Sequence, residues 1–156
     1  MRRDKLQVVA PAAEPAADEC YVLDEQVGFL LRVAMQRHTS IFTARMIEAL
    51  TLTQTQFAAL AKLHEVGPCS QNHLGRLIYL DAATIKGVVD RLGARGFVSV
   101  LGDPKDRRRR AVALTERGRT VTEAAMLVAA EITAATLAPL TAEEQRLVAR
   151  LLKKLS

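Results

Sequence analysis

Asp103-Pro104-Lys105-Asp106-Arg107-Arg108-Arg109-Arg110-Ala111-Val112-Ala113-Leu114-Thr115-Glu116-Arg117-Gly118 is the stretch on which the fold turns. Ahead of it, Phe97, Val98, Val100 and Leu101 suit a strand, and Gly102-Asp103-Pro104 supplies a turn. After the arginines, Ala111 to Leu114 predicts a returning strand, and Thr115 is placed to cap a helix behind it. The result is a hairpin with a basic tip, since Lys105, Arg107, Arg108, Arg109 and Arg110 put five positive charges into six residues.

Working back from the hairpin, two short helices come first. Asp81 can cap one carrying Ile85, Val88, Val89 and Leu92 as far as Gly96, and Ser70 can cap another carrying Leu74, Leu77 and Ile78. Two short helices with a tight break between them form a helix-turn-helix pattern. Before them, Thr53 and Gln56 make a capping box for a helix that Gly67-Pro68 stops. Earlier still, Val27, Leu30, Leu31, Ala34, Met35, His38, Ile41 and Phe42 recur at helical spacing, predicting one amphipathic helix from about Leu23 to Leu50.

Working forward, Val121, Ala125, Val128, Ile132 and Ala135 lie on one side of a long helix that Pro139 ends. A second capping box, Thr141 with Glu144, opens a last helix carrying Leu147, Val148, Leu151, Leu152 and Leu155. Residues 1–19, with Pro11, Pro15 and alanine-rich spacers, read as a flexible tail. The chain is thus expected to be mainly α with a small β-hairpin wing. Residues 51–114 form a winged helix-turn-helix, and residues 20–50 with 115–156 form a helical dimerisation region.

Composition narrows the function. Over 156 residues, 22 Lys and Arg exceed 17 Asp and Glu, which suits a polyanionic partner. The three histidines, two cysteines and scattered serines show no nucleophile-elbow, phosphate-loop or zinc-protease spacing, so no enzyme and no cofactor is expected. Cys20 and Cys69 do not make a disulfide framework, and no window approaches eighteen uninterrupted apolar residues; a cytoplasmic protein without a membrane span is the expectation. His64, Cys69 and His73 match no standard zinc spacing.

An α-helix fits the major groove of DNA, and a basic hairpin tip can enter the narrow, electronegative minor groove beside it. In the helix opened by Asp81, Ala83 and Gly87 keep the surface low, Thr84 and Lys86 can reach base edges or phosphates, and Arg91 lies a turn further on. Ser70, Gln71 and Asn72 offer neutral donors for phosphate, and Asp106, Arg107, Arg108 and Arg109 occupy the wing. The apolar last helix predicts a homodimer, which would set two such helices about 34 Å apart on a pseudo-palindromic operator.

The wing, Asp103-Pro104-Lys105-Asp106-Arg107-Arg108 with Leu114-Thr115-Glu116-Arg117-Gly118 behind it, resembles the D-P-x-D-R-R…L-T-x-x-G pattern of the multiple-antibiotic-resistance regulator (MarR) family. The resemblance covers residues 24–155. It implies a transcriptional regulator in which Arg108 is the wing-tip arginine and Asp106 its orienting carboxylate, and in which a small molecule bound between dimerisation helices and winged module loosens the hold on DNA. Arg32, able to clamp a carboxylate, and His38, at an interior position of the stripe, are the candidate ligand contacts; a core histidine and a surface ion pair are the alternative.

Two branches of the family are similar in places. Leu23 to Leu31 resembles the organic-peroxide-sensing branch, but Gly28 stands where that branch has its reactive cysteine. Residues 31–38 and 75–92 resemble the branch that represses nicotinate catabolism, which implies a repressor released by an aromatic acid such as 6-hydroxynicotinate. A regulator with no ligand, or one responsive to metal or oxidation, stays open at this point.

Overall fold

The computed structural model describes residues 21–103 and 106–155, with backbone alone at 103 and 106–109. The tail at 1–19, Cys20 and Lys105 lie outside the described residues. Two compact units divide at Ala34 and Met35. In the first, a 3-10 turn at Leu23–Glu25 leads into α1 (Val27–Phe42), and the Arg32 guanidinium stands 4.9 Å from the centre of the Phe29 ring.

Every expected cap forms, because capping is decided by residues three apart. After α1 a π-helical turn (Thr43–Ile47) and a last α-turn, α2 (Glu48–Leu50), carry the first helix to its end. Thr51 then enters the left-handed region at φ 55°, a conformation a β-branched residue avoids at a cost of about 1–3 kcal/mol. Thr53 and Gln56 form the reciprocal box that starts α3 (Gln54–Val66): the Gln56 amide donates to the Thr53 hydroxyl at 3.3 Å and the Thr53 amide to the Gln56 side chain at 3.0 Å.

Ser70 caps α4 (Gln71–Leu77), and Asp81 caps α5 (Ala82–Ala94). The turn between them places Tyr79 at φ 57°. The two helices approach so closely that a β-carbon on Gly75 would lie 3.1 Å from both the Leu80 carbonyl oxygen and Ile85 Cγ2. This is the expected helix-turn-helix.

The wing is an antiparallel pair, β1 (Val98–Asp103) and β2 (Asp106–Leu114), with Val98 opposite Leu114 and Val100 opposite Val112. The second strand therefore begins before the arginines rather than after them, a correction to the predicted boundary at Ala111. The arginine run hid this, because long charged side chains interrupt the apolar pattern by which a strand is read without preventing its backbone from pairing. Thr115 opens α6 (Glu116–Leu137), and the box of Thr141 and Glu144 opens α7 (Ala142–Leu155).

One core joins the elements of the second unit. Met46, Leu52, Leu60, Leu74, Ile85, Val88, Leu92 and Ile132 are buried in it together with Phe42 and Phe97. Helix α6 is long and apolar enough to span a membrane by length and composition alone, but Ala125 and Ile132 belong to this core and buried Thr122 donates to the Gly118 carbonyl at 2.7 Å. Two groups of apolar residues assigned to helix stripes stay outside the core. Val27, Leu30, Leu31 and Met35 of α1 are exposed, as are Leu147, Leu151, Leu152 and Leu155 of α7. The α1 stripe was expected to face the interior and that of α7 a second copy of the chain; in the single chain both are largely open.

Candidate nucleic-acid interface and the cleft beside it

The start of α4, the outer face of α5 and strand β2 enclose a groove of about 420 Å³. It brings together Ser70, Gln71, Asn72 and Lys86 from the expected contacts, and adds Asp90 and Arg110. Arg110 belonged to the arginine run but was not singled out. Its register opposite Gly102 is what sets it into the groove, and that register could not be read from charge. The side chains of Asp106, Arg107, Arg108 and Arg109, expected at the wing, lie outside the described residues.

The polar groups of α5 are already engaged with one another. Asp81 accepts the amides of Ala83 (3.0 Å) and Thr84 (2.8 Å) and the Thr84 hydroxyl (2.7 Å). The Thr84 amide, and then its hydroxyl, hold the Asp81 carboxyl below its ordinary range. Lys86 pairs with Asp90 at 2.6 Å, one helical turn on, an exposed pair that contributes little to stability. Gly87 leaves room for the Arg91 guanidinium, whose Nη1 would lie 3.3 Å from an added β-carbon. Sequence reasoning gave each residue a separate reach toward DNA, whereas the structure couples them in pairs along the helix.

A second hollow, about 260 Å³, opens between the first helix, α3 and α6. Met35, His38, Phe42, Phe57, Ile132 and Thr133 line it, with Gln54 and Ala129. All of these belong to the unit that begins at Met35. The rings of His38, Phe42 and Phe57 follow one another at 6.3 Å spacings with tilted planes and give the hollow an aromatic wall. Arg32, the other candidate contact, belongs to the first unit.

His38 is half-buried and its Nδ1 lies 3.0 Å from Thr136 Oγ1. Thr136 is also 2.8 Å from the Ile132 carbonyl, which can only accept. The single hydroxyl proton therefore goes to Ile132, and His38 Nδ1 must donate to the threonine oxygen. Neutral His38 then carries its proton on Nδ1, and Nε2 remains an acceptor for a hydroxyl or ring N–H.

The remaining groups raised by the sequence are dispersed. His64 faces Glu123 at 3.6 Å, His73 Nδ1 sits 3.4 Å from Arg76, and Cys69 bridges to Val112 through its backbone. Burial pushes the Cys69 thiol up, opposite to the shift that makes a cysteine reactive at neutral pH.

A helix-turn-helix with a hairpin wing, bearing neutral donors, a lysine and an arginine around one groove, defines a winged-helix DNA-binding regulator. Residues 52–109 match the model of the MarR family. The transcriptional repressor NicR of Pseudomonas putida is 40% identical over 145 residues, which take in 93% of this chain and 91% of that one. Two solved structures superpose over most of their length. One, called a probable transcriptional regulator from Pseudomonas aeruginosa, has a TM-score of 0.82 at 48% identity and covers 86% of this chain and 100% of that chain. The other, BpsR of Bordetella bronchiseptica, whose DNA binding is regulated by 6-hydroxynicotinic acid, has a TM-score of 0.81 at 39% identity and covers 88% and 97%. The chain belongs to the MarR family of transcriptional regulators.

Proposed function

We propose that this protein is a homodimeric, cytoplasmic repressor that holds a pseudo-palindromic operator and releases it when a small aromatic carboxylate occupies the cleft beside His38. The observation that carries it is the cleft itself, an apolar slot walled by aromatic rings and furnished with a nitrogen acceptor. A hydroxylated pyridine carboxylate matches those features. Its ring packs against Phe42 and Phe57, whose planes are inclined at 52°, so that it stacks on one and meets the other obliquely, and its hydroxyl or ring N–H donates to His38 Nε2. The similarity to a repressor named for nicotinate and to a protein regulated by 6-hydroxynicotinic acid supports the same ligand class. For the carboxylate we keep Arg32, on sequence grounds.

On DNA, residues 51–114 act as the reading module. Thr84, Ala83 and Gly87 meet base edges, while Ser70, Gln71, Asn72, Lys86 and Arg91 meet the backbone. Arg107, Arg108 and Arg109, with Asp106 orienting Arg108, enter the minor groove. Residues 20–50 and 115–156 serve dimerisation and ligand sensing. The protein regulates by binding and performs no catalysis.

The experiment is a titration of 6-hydroxynicotinate, with 4-hydroxybenzoate in parallel, against a fluorescent operator duplex selected by the protein from a random pool. Release by the acid is expected in wild type. Arg32→Met and His38→Phe should keep DNA binding but shift the release midpoint upward. Unchanged midpoints in both variants would remove these residues from the ligand site.

A further inference from the structure

The cleft lies against the first helix, whereas the groove belongs to α4, α5 and the wing, so beside the core they share, an occupant of one can affect the other through a group that ties the two sets of elements together. The first helix ends abruptly. Thr51 turns left-handed, and the last carbonyls of the helix, Leu50 and Thr51, are left without the amide donors a continuing helix would supply. One side chain satisfies both. Arg95 donates from Nη1 to the Thr51 carbonyl at 2.7 Å and from Nη2 to the Leu50 carbonyl at 3.0 Å, across 44 and 45 residues of sequence.

Arg95 is itself the residue that closes α5, its amide bonding back to the Arg91 carbonyl. Its guanidinium also lies 4.5 Å from the centre of the buried Phe97 ring, immediately ahead of β1. The Arg117 guanidinium of α6 stands 5.3 Å from the same ring. A planar, two-pronged group is thus fixed at one point to the end of the cleft-lining helix, to the end of the second helix of the helix-turn-helix, and to the root of the wing. Between the cleft residues and this clamp lies the π-helical turn at Thr43–Ile47. There the helix holds a residue more than an α-turn needs, and its phase can change without unfolding.

We infer that Arg95 is the positioning residue through which the cleft sets the placement of α5 and the wing. It contacts neither the groove nor the cleft. Filling the cleft displaces the first helix, the π turn takes up part of the displacement, and Arg95 passes the remainder to α5. This rests on the proposed ligand cleft, and it makes the regulatory link a property of one guanidinium rather than of general packing.

The test is a double-mutant cycle on the full chain, read as affinity for the selected operator duplex. Thr133→Leu intrudes on the cleft without any ligand, and Arg95→Met removes the clamp while keeping much of its bulk. Expected is a change of about fivefold or more in operator affinity from Thr133→Leu when Arg95 is present, falling below about twofold in the Arg95→Met background. Arg95→Lys, which keeps the charge but cannot grip both carbonyls squarely, should fall between. It also serves as the second arm if Arg95→Met does not fold by circular dichroism: an undiminished effect of Thr133→Leu in the Arg95→Lys background would then overturn the inference.

Equal effects of Thr133→Leu in all backgrounds would make Arg95 purely structural and overturn it. So would a Thr133→Leu that changes nothing in wild type, since the cleft would then not communicate with the groove. If 6-hydroxynicotinate leaves wild-type operator binding unchanged while Thr133→Leu acts only through Arg95, the ligand assignment fails and the role of Arg95 stands.

Discussion

A β-carbon on Gly118 would overlap the carbonyl oxygen of Phe97. That carbonyl also accepts the Thr115 amide at 3.0 Å, and the Thr115 hydroxyl in turn accepts the Gly118 amide at 2.9 Å. The root of the wing is thus locked to the start of α6 by close main-chain approach and one threonine hydroxyl. The threonine and glycine of the Leu114-Thr115-Glu116-Arg117-Gly118 run are there for this junction, one as a cap and the other for want of a side chain.

Gly118→Ala should therefore destabilise the fold by about 3 kcal/mol or more, since backbone rather than a flexible side chain occupies the space. Its thermal midpoint should drop on the order of 10 °C. Gly93→Ala is the contrasting variant. It lies within α5, and its β-carbon would be an ordinary 4.0 Å from the Val98 carbonyl, so it should be neutral or stabilise by about 0.5 kcal/mol. Equal melting curves for the two variants would contradict the overlap.

Asp81 makes stability fall with acid. Its carboxyl is held below the ordinary 3.8, first by the Thr84 amide and then by the Thr84 hydroxyl. A group whose folded pKa is depressed stabilises the native state fully above its unfolded pKa, and that contribution disappears as pH falls through the folded value. Asp81→Asn keeps an N-cap acceptor but does not titrate. Its melting temperature should depend less steeply on pH below about pH 5 than that of wild type. Identical slopes would show that the cap charge plays no part.

The exposed apolar residues of α7 should meet a second copy of the chain. Leu155, 72% exposed, and Leu151, 46% exposed, lie a helical turn apart. The pair Leu151→Glu with Leu155→Glu should give a monomer by light scattering at micromolar concentration and weaken operator binding. A dimer that persists would place the interface elsewhere.

On DNA, the arginines and Thr84 should behave differently. Arg108→Ala and Arg110→Ala should each lower the slope of log affinity against log salt by about one per lost phosphate contact in each subunit, leaving base preference unaltered. Thr84→Ala should keep the slope and change which bases are selected. Wild-type slopes in both arginine variants would remove the wing from the contact surface.

Local chemistry was legible in the sequence. Thr53, Ser70, Asp81, Thr115 and Thr141 were each recognisable as caps because a cap and its partner are three residues apart or fewer, and all five form. Contacts between distant residues were not. Arg95 carries no local pattern that names Leu50 and Thr51 as its partners, and nothing near Arg110 fixes its register opposite Gly102. The π turn left no trace, because Met46 and Ile47 continue the apolar run through it. The stripe gave His38 an interior position, but only its approach to Thr136, 98 residues away, decides which nitrogen carries the proton.

With both oxygens of Asp81 taken up by the first turn of α5, and Asp90 tied to Lys86, this helix carries its own anions. Its positive end is neutralised from within, so a phosphate arriving there meets a carboxylate rather than open amides. A genome holds about 10⁶–10⁹ competing sites, nearly all of which offer only phosphate. On this helix any grip on the backbone is left to the cationic side chains of Lys86 and Arg91 further along, while the amides of its first turn are closed to phosphate.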